Sequence, residues 1–124
     1  MLRAGKMIGE RNNFYVLIDE AHSFVSKSFA GMLPQVRKFG LGLFLTHQYL
    51  EQLEPETRSA ILGNVCTVIC FRLRLADAKV MEKEFYPVFT YDDFVTLPKY
   101  TIYIKLLIDG TESRGFSAVT VERV

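Results

Sequence analysis

Long hydrophobic runs are absent from this chain. No stretch approaches the ~18 consecutive apolar residues that a transmembrane helix needs, and residues 1–13 are polar, without the apolar core of a secretory signal. The formal net charge is +1, so no overall electrostatic field draws the chain to nucleic acid. A DNA contact would need a local patch or several subunits. We therefore expect a cytoplasmic protein.

Cysteine is also scarce, since only Cys66 and Cys70 occur, both in a strand-like run at 65–71. Residues four apart in a strand share a face but stand roughly 13 Å apart, which is too far for a disulfide bond. Their spacing matches no zinc-binding pattern. We expect two small, buried hydrophobic residues in a reducing compartment.

The segment from Phe14 to His22 carries the strongest signal that is present. Residues 14–18 form an apolar run typical of a buried strand in a parallel sheet, and Asp19 and Glu20 follow directly. Acids at the C-terminal end of such a strand lie where open α/β sheets bind ligands. One carboxylate can hold Mg²⁺ while the next orients or deprotonates a water. The alternative is structural, because a strand can end in any polar turn and an Asp can cap a following helix.

Strands and helices alternate along the next part of the chain, whose 124 residues and 49% hydrophobic content suit a single domain with one core. Pro34 predicts a break or kink in the first helix, with a restart near Leu33, and Gly40 is expected to end that helix. The predicted elements are a strand at 14–19, a helix at 24–39, a strand at 41–46 buried on both faces, a short helix at 56–63, a strand at 65–72, and helices at 75–85 and 91–96.

The last part of the chain has a different pattern. Residues 100–108 alternate apolar and polar positions, and 109–112 form a turn before a second strand at 114–122. This hairpin should be antiparallel, whereas the three earlier strands alternate with helices and should be parallel. We expect one α/β domain over residues 1–124, with a polar lead-in at 1–13, a core at 14–98 and a closing hairpin at 99–124.

The order of several short motifs resembles one superfamily of motor ATPases. Residues 18–22 (Ile-Asp-Glu-Ala-His) look like a Walker B strand, and 37–43 followed by Thr-His-Gln at 46–48 look like a helix end and sensor strand. Residues 71–78 and 103–118 resemble the closing segments. Over about residues 14–122 the sequence resembles the second half of the motor domain of the FtsK–HerA superfamily, most closely the conjugative DNA-transfer ATPases of type IV secretion. The resemblance implies a partial RecA-like P-loop NTPase fold.

The resemblance also implies roles for individual residues. Asp19 would hold Mg²⁺, usually through water, Glu20 would polarise the attacking water, and Gln48 would sense the γ-phosphate. An amide suits that last task because it can donate to a phosphate oxygen and accept from water. The alternative for Gln48 is a polar residue capping a strand end. His22 and His47 could contact phosphate or could make purely local hydrogen bonds.

Arginines that could reach the nucleotide of a neighbouring subunit form a second group of candidates. A guanidinium can neutralise the charge that develops on a transferring phosphoryl group. The alternative for each arginine is a solvated surface charge or a surface ion pair. Arg37 and Arg58 rank first, ahead of Arg72 and Arg74.

The phosphate-binding loop of such ATPases is missing from this sequence. No Gly-x-x-x-x-Gly-Lys-Ser/Thr motif occurs, and Gly5-Lys6-Met7 lacks both the earlier glycine and the following hydroxyl. Without that loop no amide cradle and no lysine meet the β- and γ-phosphates. We therefore expect the chain to be a C-terminal part of such a motor, to bind no nucleotide tightly and to lack ATPase activity by itself.

For an intact parent ATPase the resemblance implies ATP and Mg²⁺ as cofactors, a homo-hexamer, DNA contacted by the assembled ring, secretion-channel proteins as partners, and a position at the inner face of the cell membrane. Two other hypotheses stay open. The chain could be a non-catalytic module derived from such an ATPase that binds the intact enzyme or a partner. It could also be an unrelated α/β domain whose acid pair binds a metal for other chemistry.

Overall fold

The computed structural model describes residues 12–122, apart from the side chain of Arg37. Most of the expected polar lead-in at 1–13, including Gly5 and Lys6, lies outside the described residues. The chain divides into two compact units at 64/65, and each is described by itself. The expectation of one domain with boundaries at 13/14 and 98/99 stays a prediction. No helix within residues 12–122 is long and apolar enough to span a bilayer.

Helices and strands alternate in the first unit, and a mixed arrangement with an antiparallel sheet follows in the second. The strands are β1 (Phe14–Ile18), β2 (Leu41–Leu45), β3 (Val68–Cys70), β4 (Thr101–Lys105), β5 (Leu107–Ile108), β6 (Thr111–Glu112) and β7 (Phe116–Val119). The α-helices are α1 (Lys27–Val36), α2 (Pro55–Asn64), α3 (Leu75–Glu84) and α4 (Tyr91–Val95). Short 3-10 turns occupy Ala21–Ser23, Arg37–Phe39 and Leu50–Gln52.

Strands β1 and β2 are parallel, as the sequence predicted, with Phe14 opposite Leu41 and Ile18 opposite Leu45. Alternate residues of a strand point to opposite faces. The face that includes Leu43 and Leu45 packs on the core of the first unit, which is a cluster of Leu33, Leu53 and Ile61 with Val25, Phe29 and Leu50 around it. Helices α1 and α2 therefore cover this face of the sheet.

The opposite face of β1 and β2 is exposed, which contradicts the expectation of burial on both faces. Tyr15, Leu17 and Phe44 lie on it and are 65%, 69% and 57% exposed. The ring of Tyr15 lies so close to Gly42 that a Cβ there would collide with it. Parallel sheets ordinarily carry helices on both faces. The apolar residues of these strands predict a sheet with both faces covered. In the structure, helices α1 and α2 cover one face and the other face is exposed.

Helix α1 runs through Pro34, so a break at this residue is wrong, while the alternative of a kink stays a prediction. Buried Ala30 and Leu33 anchor the helix to the core, and such packing overrides the local preference of a proline. The helix gives way to a 3-10 turn only after Val36. Gly40 follows with a φ of 67°, in the left-handed region expected of a glycine that ends a helix.

In the second unit β3, β4 and β7 form an antiparallel sheet in that order, and β5 pairs with β6. The predicted closing antiparallel strands are confirmed. The third predicted strand is shorter than expected and pairs antiparallel with β4, so the expectation of a third parallel strand is wrong for its observed pairing. Alternation with helices did not determine its partner, because the later strand β4 lies beside it.

The two cysteines differ in their surroundings. Cys70 is buried within β3, and burial raises the pKa of its thiol to about 12. Cys66 is exposed, contrary to expectation, because β3 begins only at Val68. Neither cysteine is joined in a disulfide bond in the described part of the chain.

Candidate functional site at the ends of the parallel strands

The carboxyl ends of β1 and β2 meet at one edge because the two strands are parallel and in register. The ladder continues past the strands, since the Thr46 amide donates to the Ile18 carbonyl at 3.1 Å and the Ala21 amide donates to the Thr46 carbonyl at 3.0 Å. The segment Asp19–Glu20 therefore runs beside Thr46. This brings the two predicted acids to the edge of the sheet at which the segment leading to the predicted Gln48 begins.

Asp19 is held by two hydrogen bonds to the same oxygen. The Thr46 hydroxyl donates to its Oδ1 in a short contact, and the Glu20 amide donates to Oδ1 at 3.1 Å. No hydrogen bond among residues 12–122 uses Oδ2, which leaves that oxygen available to a cation or its water. Sequence reasoning missed this role of Thr46, although a hydroxyl at the end of an apolar strand was a signal for it.

Glu20 has an uncommon backbone conformation. Its φ of 51° and ψ of 52° lie in the left-handed region, which disfavours residues that carry a Cβ. The residue directly precedes the 3-10 turn Ala21–Ser23, which reverses the chain away from β1. Its Oε2 lies 3.5 Å from Nδ1 of His22, whose side chain is 25% exposed. The Glu20 carboxylate thus lies against the turn that follows it.

His47 lies beside this acid, on the neighbouring segment. Both of its ring nitrogens are buried and have no hydrogen-bond partner among the described residues. Burial lowers the pKa of His47 below its ordinary 6.5, nearby His22 lowers it further, and Glu20 opposes the shift. The ring is therefore mainly neutral near pH 7, with one donor and one acceptor unused.

The other predicted site residues lie at several places along the chain. Gln48 is exposed and directly follows His47. Arg58 lies in α2 and is partly buried, while the side chain of Arg37 lies outside the described residues. Arg72 and Arg74 belong to the second unit. The roles of all these residues stay predictions.

The donor set at this edge fits a magnesium ion that a nucleotide brings with it. Within the described part of the chain no group of three or more His, Cys, Asp or Glu side chains could hold a metal by itself. Mg²⁺ usually keeps several waters and takes one or two carboxylates together with substrate phosphates. Asp19, with its Oδ2 available, is the residue that would contribute to such a site.

Solved structures of a viral packaging enzyme share this fold. The chain is similar to the genome packaging NTPase B204 of Sulfolobus turreted icosahedral virus 2 in complex with AMPPCP, with a TM-score of 0.64 and 20% identity over 90% of this chain and 54% of that chain. For the complex with ATP-γS the TM-score is 0.63, with 20% identity over 87% and 52%. The DNA-packaging ATPase B204 of Sulfolobus turreted icosahedral virus gives 0.61, with 18% identity over 87% and 52%.

The chain has part of a P-loop NTPase fold. It spans about half the length of the structures that it matches. No protein-family model matches the sequence, and a search of curated proteins found no match. At this level of identity the likeness establishes the fold, which confirms the predicted fold class. The parallel β1–β2 pair, with acids at its carboxyl end, is the part of this P-loop NTPase fold that carries the candidate site.

Proposed function

We propose that the chain is the Walker B and sensor half of an ATP-driven DNA translocase motor of the FtsK–HerA kind. The observation that supports this proposal is the meeting of Asp19–Glu20 with Thr46 at the carboxyl-end edge of a parallel strand pair. The likeness to packaging NTPases solved with AMPPCP and ATP-γS supports it. The finer assignment, to conjugative DNA transfer through type IV secretion, rests on the sequence motifs.

In this proposal the residues at the strand ends divide the work of ATP hydrolysis. Asp19, fixed by Thr46, would hold Mg²⁺ through water, and the ion would supply positive charge that offsets the charge of the phosphates. Glu20 accepts a proton from the attacking water. At the same time the water oxygen bonds to the γ-phosphorus, and the bond between this phosphorus and the bridging oxygen breaks, so that the oxygen leaves with ADP. Gln48 donates to a γ-phosphate oxygen. The products are ADP and inorganic phosphate.

The phosphate-binding loop has to come from a polypeptide segment other than the one described. Since the sequence contains no such loop, we propose that a longer ATPase chain supplies it, and that this parent forms a hexamer that contacts DNA and secretion-channel proteins at the cytoplasmic face of the membrane. Arg37 or Arg58 would then reach the nucleotide of a neighbouring subunit. By itself the chain would hold ATP only weakly.

The test compares ATP turnover and nucleotide binding of this chain with those of the complete open reading frame that encodes it. We expect no turnover by the chain and measurable turnover once a phosphate-binding loop is present. Asp19→Asn should raise the Mg²⁺ concentration needed for half-maximal turnover, because one negative ligand is lost. Glu56→Gln is the matched control, because Glu56 is an exposed glutamate of the same unit whose carboxylate pairs with Lys27 at the surface. Robust turnover by the isolated chain would refute the missing-loop proposal.

A second candidate function is a non-catalytic module that binds the intact ATPase or a partner. The exposed apolar face of Tyr15, Leu17 and Phe44 favours it, because surfaces of this kind commonly mark interaction sites. A complete open reading frame that contains no phosphate-binding loop, yet associates with an intact ATPase, would support this alternative over the first.

A further inference from the structure

We propose that His22 is a positioning residue for Glu20, holding one oxygen of its carboxylate so that the other faces the attacking water. The inference rests on the proposed ATPase function, in which Glu20 receives the proton of that water. It assigns a role to the histidine that the sequence left open between a phosphate contact and a local hydrogen bond. In this proposal the contact is local, and its partner is the catalytic candidate itself.

The contact between the two side chains is the first support. His22 Nδ1 lies 3.5 Å from Glu20 Oε2, which is an electrostatic contact slightly longer than a hydrogen bond. The same Nδ1 is buried and has no hydrogen-bond partner among the described residues. With the ring proton on Nδ1, a buried N–H without an acceptor is unfavourable, and a slightly shorter contact with Glu20 would satisfy it. The acceptor placed for that purpose is the Glu20 carboxylate.

The backbone of Glu20 is the second support. Residues with a Cβ occupy the left-handed region at a cost, and such conformations persist where the surrounding structure imposes them. Here the turn Ala21–Ser23 is closed by the Ser23 amide, which donates to the Glu20 carbonyl at 3.1 Å, and by the Phe24 amide, which donates to the Ala21 carbonyl at 2.9 Å. This turn places His22 back over Glu20. The same turn therefore fixes both partners of the contact.

The groups around the pair determine which oxygen of Glu20 is available. Asp19 is engaged by Thr46 and by the Glu20 amide, so it does not compete for His22. Within residues 12–122 no hydrogen bond uses the second oxygen of Glu20. His47 lies on the adjacent segment, close enough for its charge state to respond to both His22 and Glu20. If His22 holds Oε2 of Glu20, the other oxygen of the carboxylate remains able to accept the proton of the attacking water.

Substitution of His22 should leave the fold intact. The residue borders an open pocket of about 500 Å³ together with Lys27, Leu53 and Thr57, so side chains of similar or smaller size fit there. His22→Leu removes the donor, and His22→Asn keeps one. Ser23→Ala is a matched control in the same turn, because the side chain of Ser23 is exposed.

The first measurement uses the ¹⁵N-labelled chain and needs no enzymatic activity. Long-range ¹H–¹⁵N spectra of the histidine rings should show a shifted Nδ1 resonance of His22 in the Glu20→Gln variant, and no such shift in Ser23→Ala. Ring signals of His22 that are identical in wild type and Glu20→Gln would overturn the proposal, whatever the ATPase experiments show.

The second measurement is the steady-state ATP turnover of the complete open reading frame. His22→Leu should lower kcat by about tenfold to a hundredfold, the scale of misplacing a catalytic group, with KM unchanged. His22→Asn should restore most of that loss. If Glu20→Gln lowers turnover and His22→Leu does not, the positioning role is wrong while the proposed function stands. If Glu20→Gln itself has no effect, the proposed function is wrong.

Discussion

Glycine at position 20 should give a more stable protein than alanine does. Both substitutions remove the carboxylate and its contact with His22, so those losses cancel in the comparison. What remains is the backbone, with a φ of 51° at this position. A Cβ in the left-handed region costs roughly 1–2 kcal/mol, whereas the extra chain entropy of glycine opposes this by about 0.5–1 kcal/mol. We expect Glu20→Gly to exceed Glu20→Ala by about 1 kcal/mol in free energy of unfolding.

The assay is urea denaturation followed by far-UV circular dichroism. The matched pair is Ser23→Gly and Ser23→Ala, in the 3-10 turn that follows, where φ is not positive. There the order should reverse, with glycine the less stable by about 0.5–1 kcal/mol. Equal stability of the two Glu20 variants, or greater stability of the alanine form, would refute the strained backbone at this position.

Two further predictions concern the surface and the cysteines. We expect the chain to self-associate through the exposed apolar face of β1 and β2, so Leu17→Gln combined with Phe44→Gln should abolish the oligomers in sedimentation velocity, while Phe24→Gln, at a phenylalanine that is 70% exposed, should not. A wild-type chain that stays monomeric at high concentration would contradict this. Cys66 should react with a thiol reagent at pH 8 and Cys70 should not, because burial raises the pKa of Cys70 to about 12 and leaves it protonated; equal reaction rates would count against the β3 assignment.

The sequence predicts the parallel pair of β1 and β2 well, because the signals for these two strands are local and strong. An apolar run followed directly by Asp19 and Glu20 defines the first strand and its carboxyl end, and the next apolar run ends at Thr46. Since the two strands are joined through a helix, a parallel pairing follows, and with it the meeting of both ends. The pairing of β1 with β2 is therefore the one long-range contact that has to be inferred in order to predict where the candidate site lies.

Other features depend on contacts that no local pattern encodes. The partner of β3 is β4, about thirty residues further along the chain, so alternation with helices did not reveal it. Helix α1 passes through Pro34 because Ala30 and Leu33 are packed against the core. The exposure of Cys66 depends on where β3 begins.

The candidate site also has details that the sequence pattern does not contain. The hydrogen bond from Thr46 to Asp19 joins residues 27 positions apart, and it appears only once the strands are in register. The left-handed conformation of Glu20 is set by the turn that follows, whereas the residue type itself favours other regions. The contact with His22 depends on that conformation. Motif spacing therefore indicates which strand end carries Asp19 and Glu20, but it does not reveal that Thr46 and His22 contact them.

We propose the edge formed by Asp19, Glu20 and Thr46 as the hydrolytic half of an ATPase site. The test is the ATP turnover of the complete open reading frame with Glu20→Gln, beside wild type and the Glu56→Gln control. We expect Glu20→Gln still to bind nucleotide but to turn it over at least about a hundredfold more slowly, the scale of losing a general base. Turnover equal to that of wild type and the control would contradict it.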